Sequence, residues 1–342
     1  MKKRVLIIIG LVAILLCGCS SRYANIKVTD HTYLLGTLVK ITIYGRDVSD
    51  EEFQEIFKII SDIEDKVSKN IPDSEISMIN NSKSDEVKIS SDTYNIIEKG
   101  LYYSTLSQGK FDITIAPLVD LWGIGSENAH VPNNEEIMEA LNRINYNRIN
   151  LIKKNQSIGI VEDTKIDLGG IAKGYVADKV SSYLKDNNMG HAVINLGGNI
   201  LTVGKKPNGD SWKIGIQNPL DNRGKELGIV TIGEKSVVTS GIYERYLEED
   251  GVKYHHILNP FTGYPIENDL VSVTIISDHS VDGDGLSTVA FSQGLKEGYS
   301  FVEDIDNVEA IFITKYNEVY LTTGAKDIFE LRNYKFKIKE LE

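Results

Sequence analysis

Two neighbouring histidines stand in the segment YHHILNPFTGYP, residues 254–265. An imidazole titrates near neutral pH, so it can bind a metal ion or accept a proton from a substrate. After Ile257 and Leu258 come an Asn-Pro step and then a Thr-Gly step, which indicate a stop and a turn. Taken alone, His255 and His256 could be a metal-ligand pair, a general base with a neighbour, or two polar residues that end a strand, which is the commonest case.

A second candidate site is the stretch DLGGIAKGYVADKV, residues 167–180, which places a carboxylate, two glycines and Lys173 at the start of a predicted helix. Glycine backbone lets a ligand come close, a helix start offers unpaired N–H groups to an anion, and lysine adds a full positive charge. A phosphate group therefore fits there. The stretch matches neither the P-loop nor the dinucleotide-binding glycine pattern, and a plain glycine turn that caps a helix is an equal alternative.

The segment VDGDGLSTVAF, residues 281–291, has Asp284 and Thr288 four residues apart, which places both oxygens on one face of a helix. A carboxylate and a hydroxyl are hard ligands, and with backbone carbonyls and water they suit Mg²⁺ better than a soft metal. The alternative is that Asp284 only caps the helix, which is the commoner role of such a residue.

Three further segments could contribute to a site. Residues 111–125, FDITIAPLVDLWGIG, form a largely apolar segment that contains a tryptophan and is stiffened by a proline. The segment could form a wall for a flat ring system, although such segments more often belong to the core. NIPDSEISMIN, residues 70–80, predicts an Asp-Ser cap before a short helix. NLGGN, residues 195–199, predicts a tight turn between strands.

The first half of the chain supplies elements that must position these segments. Residues 33–45 alternate apolar and polar side chains like a strand, and residues 50–69 repeat apolar side chains at helical spacing. A second helix is predicted after Ser90, with Gly109 ending it. Residues 127–160 are polar and Asn-rich, with some helical character, and predict a surface excursion.

The second half of the chain is mostly strands in an antiparallel pattern with polar turns. A helix is predicted after Asp167, and another interrupts the strands from about residue 285 to 298. Because helices and strands segregate and do not alternate, the sequence predicts an α+β fold, mainly antiparallel sheet with packed helices, in a single catalytic unit.

The charge of the chain limits its partners. The 342 residues carry a formal net charge of -12, so the summed electrostatic field repels phosphate backbones and excludes a wide nucleic-acid footprint. An anionic ligand would need a local device such as a helix start, a lysine or a bound cation.

The first twenty residues, MKKRVLIIIGLVAILLCGCS, have a basic start, an apolar run and small residues, which is typical of an export signal. Leu16-Cys17-Gly18-Cys19 is similar to a bacterial lipobox, in which the signal is cut before a cysteine that then carries lipid. We therefore expect a signal peptide at residues 1–18, lipidation of Cys19, a tether at residues 19–30 and a catalytic domain at residues 31–342. The protein would be extracytoplasmic and lipid-anchored to the bacterial cell membrane.

Eight ordered motifs together resemble the ApbE family, the FAD:protein FMN transferases. They span about residues 30 to 330 and read Gly36-Thr37, SEISMIN, FDITIAPLVDLWG, DLGGIAKGY, VINLGGNI, TSGIYERY, HHILNPFTGYP and DGLST. The resemblance implies an enzyme that uses Mg²⁺ and FAD, breaks the FAD pyrophosphate, releases AMP and joins FMN to a Thr or Ser hydroxyl of a target protein. Family targets carry a motif similar to Asp-Gly-Ser/Thr-Gly-Ala-Ser/Thr, often in exported or membrane redox proteins.

The resemblance also implies roles for particular residues. His256 corresponds to the proton acceptor, and His255 to a supporting residue. The metal ligands would be the side chains of Asp284 and Thr288 with the carbonyl of Gly170. Contacts to FAD would come from Leu35, Asn70, Ala116, Pro117, Leu118, Asp167, Lys173 and Ile257.

Three positions depart from the family pattern. Leu35 stands where many relatives have Met, and Asn259 where the family often has Asp, so a charge-based orientation of His256 from residue 259 is open to question. Asn70 stands where many relatives have Tyr, and an asparagine leaves space for water where a ring could stack on the adenine or flavin. One alternative to the transferase is therefore an extracytoplasmic FAD pyrophosphatase that gives FMN and AMP. A separate alternative is a non-catalytic flavin-binding lipoprotein.

Overall fold

The computed structural model describes residues 26–341 apart from residues 85 and 162. Over this part of the chain, the architecture is α+β and is built on one large, mainly antiparallel sheet. The predicted fold class is therefore confirmed. The expected signal peptide and Cys19 lie outside the described residues. No described helix is both long and apolar enough to cross a membrane.

The large sheet contains nine of the described strands, in the order β1-β2-β6-β7-β10-β13-β14-β15-β17. All neighbours in it are antiparallel except β15 and β17. Its strands are β1 (Lys27–Leu34), β2 (Thr37–Tyr44), β6 (Ala192–Leu196), β7 (Asn199–Val203), β10 (Ser236–Gly241), β13 (Leu270–Ser277), β14 (Glu309–Thr314), β15 (Glu318–Leu321) and β17 (Lys337–Lys339).

The described residues also form three smaller sheets. They are formed by β8 (Trp212–Gln217), β9 (Glu226–Ile232) and β16 (Phe329–Leu331), by β3 (Val87–Lys88), β4 (Ile149–Ile152) and β5 (Ser157–Ile160), and by the hairpin β11 (Tyr246–Glu249) and β12 (Val252–His255). The predicted surface excursion thus contains two short strands as well as a helix.

The described helices are α1 (Asp50–Val67), α2 (Glu75–Asn81), α3 (Ser91–Leu106), α4 (Ala116–Trp122), α5 (Asn134–Leu141), α6 (Ala172–Asp186), α7 (Ser280–Gln293), α8 (Leu295–Glu303) and α9 (Ala325–Ile328). Several of these helices start after a polar residue whose side chain accepts hydrogen bonds from the first free backbone N–H groups. Ser49 and Asn133 form capping boxes, and Ser74 and Ser90 cap α2 and α3. Helix α3 ends at Leu106, before Gly109.

The hydrophobic core lies on both faces of the large sheet. Helices α1, α6 and α7 pack on one face, where Ile41, Val176 and Val273 have no exposed surface. The sheet of β8, β9 and β16 packs on the other face, around residues such as Trp212 and Ile311. Burying one large aliphatic side chain stabilises a protein by about 1.5–3 kcal/mol, so these layers hold α6 and α7 firmly in place.

The segment predicted as a single strand at residues 33–45 is a hairpin. Strands β1 and β2 pair from Lys27↔Tyr44 to Leu34↔Thr37, and Leu35 and Gly36 form the turn with φ angles of 54° and 64°. Leucine rarely adopts a positive φ, so the alternating pattern gave no sign of a turn. Because β1 begins at Lys27, residues 27–30 belong to the sheet and not to the tether.

The helix predicted from about residue 285 to 298 is two helices. Helix α7 starts at Ser280, and Gly294, with φ 82° and ψ 179°, separates it from α8. Asp284 therefore lies in the second turn of α7, so it does not cap its own helix. This placement turns its carboxylate toward a neighbouring helix, as described below.

Candidate active site

His256 follows β12 directly, and one backbone carbonyl fixes its imidazole. The Nδ1 atom of His256 lies 3.1 Å from the carbonyl oxygen of Arg245, which also accepts the backbone N–H of His256 at 3.1 Å. A carbonyl oxygen can only accept, so Nδ1 carries the hydrogen. The Nε2 atom of the neutral ring is therefore left with a lone pair that can accept a proton.

The pKa of His256 is lowered to about 4. The main cause is lost hydration, because protein surrounds most of the ring although part of its surface stays open to solvent. The hydrogen bond to Arg245 opposes this effect, and the positive charges of Arg245 and Lys173 lower the pKa further. At neutral pH the imidazole is uncharged, which is the state a general base needs.

His255 has a different environment. It is buried, its Nε2 donates to the carbonyl oxygen of Ile266 at 2.9 Å, and its Nδ1 accepts the backbone N–H of Ile257 at 3.3 Å. Its ring also meets Phe291 edge to face. Both ring nitrogens are used within the protein, so His255 holds the loop and has no free atom for a substrate.

The loop after His256 is anchored to helices α4 and α5. The Nε1 atom of Trp122 donates to the carbonyl oxygen of Gly263 at 2.8 Å, and a Cβ on Gly263 would lie 2.3 Å from Ile137. Leu258 is buried in the same cluster as Trp122 and Ile137. The polar excursion that contains α5 therefore supports the histidine loop.

Asn259 shapes this loop without touching His256. Its Oδ1 accepts the backbone N–H groups of Phe261 at 2.8 Å and Thr262 at 3.3 Å. An aspartate could accept the same two bonds, so the departure from the family pattern preserves the turn. The orientation of His256 comes instead from the carbonyl of Arg245.

Asp284 and Lys173 meet between α6 and α7. The Oδ2 atom of Asp284 accepts the backbone N–H of Gly174 at 2.9 Å, and its Oδ1 lies 3.5 Å from Nζ of Lys173. Nζ of Lys173 also donates to the carbonyl oxygen of Gly169 at 3.3 Å. Asp284 is only 5% exposed, so its charge is held by the start of α6 and by this lysine.

Helices α6 and α7 cap each other. Asp284 on α7 binds the first turn of α6, and Asp178 on α6 accepts the N–H groups of Ser280 at 2.8 Å and Val281 at 2.9 Å at the start of α7. Neither helix has a side-chain cap of its own. The two carboxylates therefore lock the helices in one register.

Asp284, Thr288 and the backbone near Gly170 supply oxygen donors, the type that hard cations take. The Oγ1 atom of Thr288, one turn along α7, lies 3.2 Å from Oγ of Ser240. Gly170 lies exposed in the turn that precedes α6, one residue from the carbonyl that Lys173 contacts. Among the described residues, no group of three or more His, Cys, Asp or Glu side chains is arranged to hold a metal ion, so a cation here would use one carboxylate, a hydroxyl and backbone oxygens.

Asp167 is tied to the same turn and to a lysine that sequence reasoning missed. Its Oδ1 accepts the N–H of Gly169 at 2.7 Å, and its Oδ2 lies 3.7 Å from Nζ of Lys69. Lys69 also pairs with Asp120 on α4. Its position next to Asn70, which is exposed, was the available signal.

The other predicted FAD contacts lie at the ends of elements. Leu35 is half-buried in the β1–β2 turn, and Ile257 is buried next to His256. Ala116, Pro117 and Leu118 form the buried first turn of α4. Their side chains belong largely to the core, so only backbone atoms of this turn remain for a ligand. Cys19 lies outside the described residues.

A neutral histidine, a lysine and oxygen donors suited to a hard cation are typical of enzymes that act on phosphate groups. The family model described as "ApbE family" matches residues 35–312. The FAD:protein FMN transferase of Klebsiella pneumoniae is 35% identical over 292 residues, covering 85% of this chain and 90% of its own. The FAD:protein FMN transferase of Treponema pallidum is 31% identical over 354 residues, covering 97% of each chain.

Solved structures agree with this assignment. The ApbE protein of Thermotoga maritima has a TM-score of 0.81 at 31% identity, over 90% of this chain and 100% of that one. The flavin transferase ApbE of Vibrio cholerae has a TM-score of 0.80 at 28% identity, over 89% and 99%. The chain belongs to the ApbE family. The resemblance drawn from the sequence motifs is confirmed.

Proposed function

We propose that the protein transfers FMN from FAD to a Thr or Ser hydroxyl of an acceptor protein and releases AMP. The observation that carries this proposal is the neutral imidazole of His256 with a free Nε2, in a chain whose relatives are named FAD:protein FMN transferases. A protein that only bound flavin would not need a base beside a lysine and a cation site.

The reaction follows from the roles of these groups. His256 accepts the proton of the acceptor hydroxyl at Nε2, because a neutral hydroxyl is a weak nucleophile. The hydroxyl oxygen then bonds to the phosphorus on the FMN side of the pyrophosphate, and AMP leaves with the bridging oxygen. Lys173 stabilises negative charge on the phosphate oxygens.

Mg²⁺ is the cation that this donor set suits. Asp284, Thr288 and the carbonyl of Gly170 would hold it, and it would supply positive charge to the pyrophosphate oxygens. FAD itself would contact Leu35, Asn70, Asp167, Lys173 and Ile257, with Ala116, Pro117 and Leu118 contributing through the first turn of α4.

Hydrolysis of FAD to FMN and AMP is the second candidate function. Asn70 is exposed beside Lys69 and Asp167, and an asparagine there admits water where a tyrosine ring could stack. We expect Asn70→Tyr to reduce AMP release in the absence of an acceptor. Unchanged hydrolysis in that variant would remove this argument.

The protein would act outside the cytoplasm, anchored through lipid on Cys19, on an exported or membrane redox protein that carries a motif similar to Asp-Gly-Ser/Thr-Gly-Ala-Ser/Thr. The support is the basic and apolar character of the first twenty residues. Cells that express the Cys19→Ser variant should lose incorporation of labelled fatty acid into this chain. Retained label would contradict the anchor.

One experiment separates the three functions. A soluble form that starts after Cys19 is mixed with FAD and Mg²⁺, with and without an acceptor domain that contains the motif, and AMP and the intact mass of the acceptor are measured. AMP with an acceptor mass gain of one FMN less water is the expected result. AMP without a mass gain indicates the pyrophosphatase, and neither product despite FAD binding indicates a flavin-binding protein.

A further inference from the structure

We propose that Arg245 recognises a carboxylate of the acceptor protein and so helps select which hydroxyl reaches His256. This inference rests on the proposed transferase function. The acceptor would bind at the surface formed by the β1–β2 turn and Arg245, next to the loop that follows His256.

The first observation is that the guanidinium of Arg245 is exposed and without a partner among the described residues. No described carboxylate, carbonyl or aromatic ring pairs with it. The two lysines near the site differ in this respect, because Lys173 contacts Asp284 and Lys69 pairs with Asp120 and Asp167. A guanidinium offers five donors in a planar fork that matches a carboxylate or a phosphate.

The second observation is the position of Arg245. Its backbone carbonyl fixes the imidazole of His256, and its side chain runs past two glycines. A Cβ on Gly36 would lie 3.8 Å from an Nη atom of Arg245, and a Cβ on Gly125 would lie 3.5 Å from its Cδ. The guanidinium therefore lies beside the β1–β2 turn.

The third observation favours a polypeptide over a small anion. Tyr33 and Leu38 face each other across the hairpin at its end, and they are 72% and 53% exposed. The hydroxyl of Tyr33 donates to the carbonyl oxygen of Gly36 at 2.9 Å, which keeps its ring beside the turn. Exposed apolar side chains beside an unpaired arginine are typical of protein interfaces.

Charge also favours this assignment. The chain as a whole carries a net charge of -12, so an acidic acceptor segment would be repelled without a local positive group. Lys173 is committed to Asp284 and, on the proposed mechanism, to the pyrophosphate. Arg245 is the cation that this part of the described surface leaves for the acceptor.

A double-mutant cycle tests the proposal. Arg245→Gln keeps the backbone carbonyl that binds His256, and it is combined with an acceptor domain in which the Asp of the proposed motif is changed to Asn. We expect Arg245→Gln to raise the KM for the wild-type acceptor by about tenfold, the size of one charge-assisted hydrogen-bonded pair. With the wild-type enzyme, the change from Asp to Asn in the acceptor should raise the KM by a similar factor. With Arg245→Gln, the same acceptor change should raise the KM only slightly further.

The controls separate this proposal from its alternatives. Arg332→Gln removes an exposed arginine that lies by β9 and pairs with Glu226 and Glu330, and it should leave the KM for the acceptor unchanged. FAD affinity is measured by quenching of flavin fluorescence. If Arg245→Gln weakens FAD binding by about tenfold and shows no coupling to the acceptor charge, the guanidinium binds a phosphate of FAD and the proposal is overturned.

Two other results are also decisive. Additive effects of Arg245→Gln and the acceptor change, with FAD affinity retained, would also overturn the proposal. A wild-type enzyme that never modifies the acceptor would refute the transferase function itself, which is a different failure.

Discussion

Gly174→Ala tests the contact between α6 and α7 that positions Asp284. A Cβ at residue 174 would lie 2.3 Å from the carbonyl oxygen of Ser280 and 2.6 Å from Cα of Val281. Ordinary contacts begin near 3.4 Å, and both neighbours are backbone atoms that cannot rotate away. The two helices must therefore separate by about 1 Å, as expected for an overpacked interior.

The expected magnitudes follow from this displacement. Overpacking lowers the free energy of unfolding by about 1–3 kcal/mol, and the better helix propensity of alanine offsets up to about 1 kcal/mol of this loss. The hydrogen bond from Gly174 to Asp284, now 2.9 Å, would lengthen beyond hydrogen-bonding range. A misplacement of about 1 Å at a reacting centre can cost about a hundredfold in rate, so we expect kcat/KM to fall by about ten- to a hundredfold.

Two assays measure these effects. Urea unfolding gives the change in stability, and Mg²⁺ titration of FMN transfer gives the half-saturating concentration, which should rise. Gly233→Ala is the matched control, because a Cβ there meets nothing within 4 Å. Wild-type stability and an unchanged Mg²⁺ requirement in Gly174→Ala would refute the close contact and the positioning of Asp284 by it.

Three further changes test other parts of the site. Because the pKa of His256 is about 4, its imidazole stays neutral between pH 8 and 5, and kcat/KM should not fall through its protonation in that range. As the pH falls through about 4, the imidazole gains a proton and kcat/KM should drop. A fall in kcat/KM centred on the ordinary histidine pKa would contradict this prediction. Trp122→Phe leaves the carbonyl of Gly263 without its donor, so urea unfolding should show a loss of about 1–3 kcal/mol together with a lower kcat, and unchanged values would contradict the support of the loop. Asp178→Asn can accept only one of the two N–H groups at the start of α7, so the half-saturating Mg²⁺ concentration should rise while FAD affinity stays at its wild-type value. An unchanged Mg²⁺ dependence would show that Asp178 does not position α7.

The sequence predicted those helices and strands whose signals lie within the element itself. Helix α1 was readable because its buried residues recur at helical spacing. The hairpin of β6 and β7 was readable from the glycines between two apolar runs. The β1–β2 turn could not be predicted from the sequence, because Leu35 takes a positive φ that leucine rarely adopts.

The start of α7 was missed because its cap is distant in sequence. Asp282, Gly283 and Gly285 are poor helix formers, and the carboxylate that stabilises the first turn comes from Asp178, about a hundred residues earlier. The site shows the same limit. The motifs predicted roles for Lys173, His256 and Asp284. Lys69 and Arg245 received no role until the fold placed them beside Asp167 and the β1–β2 turn.

His256 is the proposed base for FMN transfer, and every step of the proposed reaction follows its removal of the hydroxyl proton. The decisive measurement is the intact mass of the acceptor domain over time, with FAD and Mg²⁺, for the wild-type enzyme and for His256→Gln. His191→Gln is the matched control, because His191 also places Nδ1 against a backbone carbonyl but lies on the surface. We predict an FMN mass gain with the wild type and His191→Gln, and a rate lower by about 10²–10⁴-fold with His256→Gln. An unchanged rate in His256→Gln, with the variant folded and binding FAD, would rule out His256 as the base.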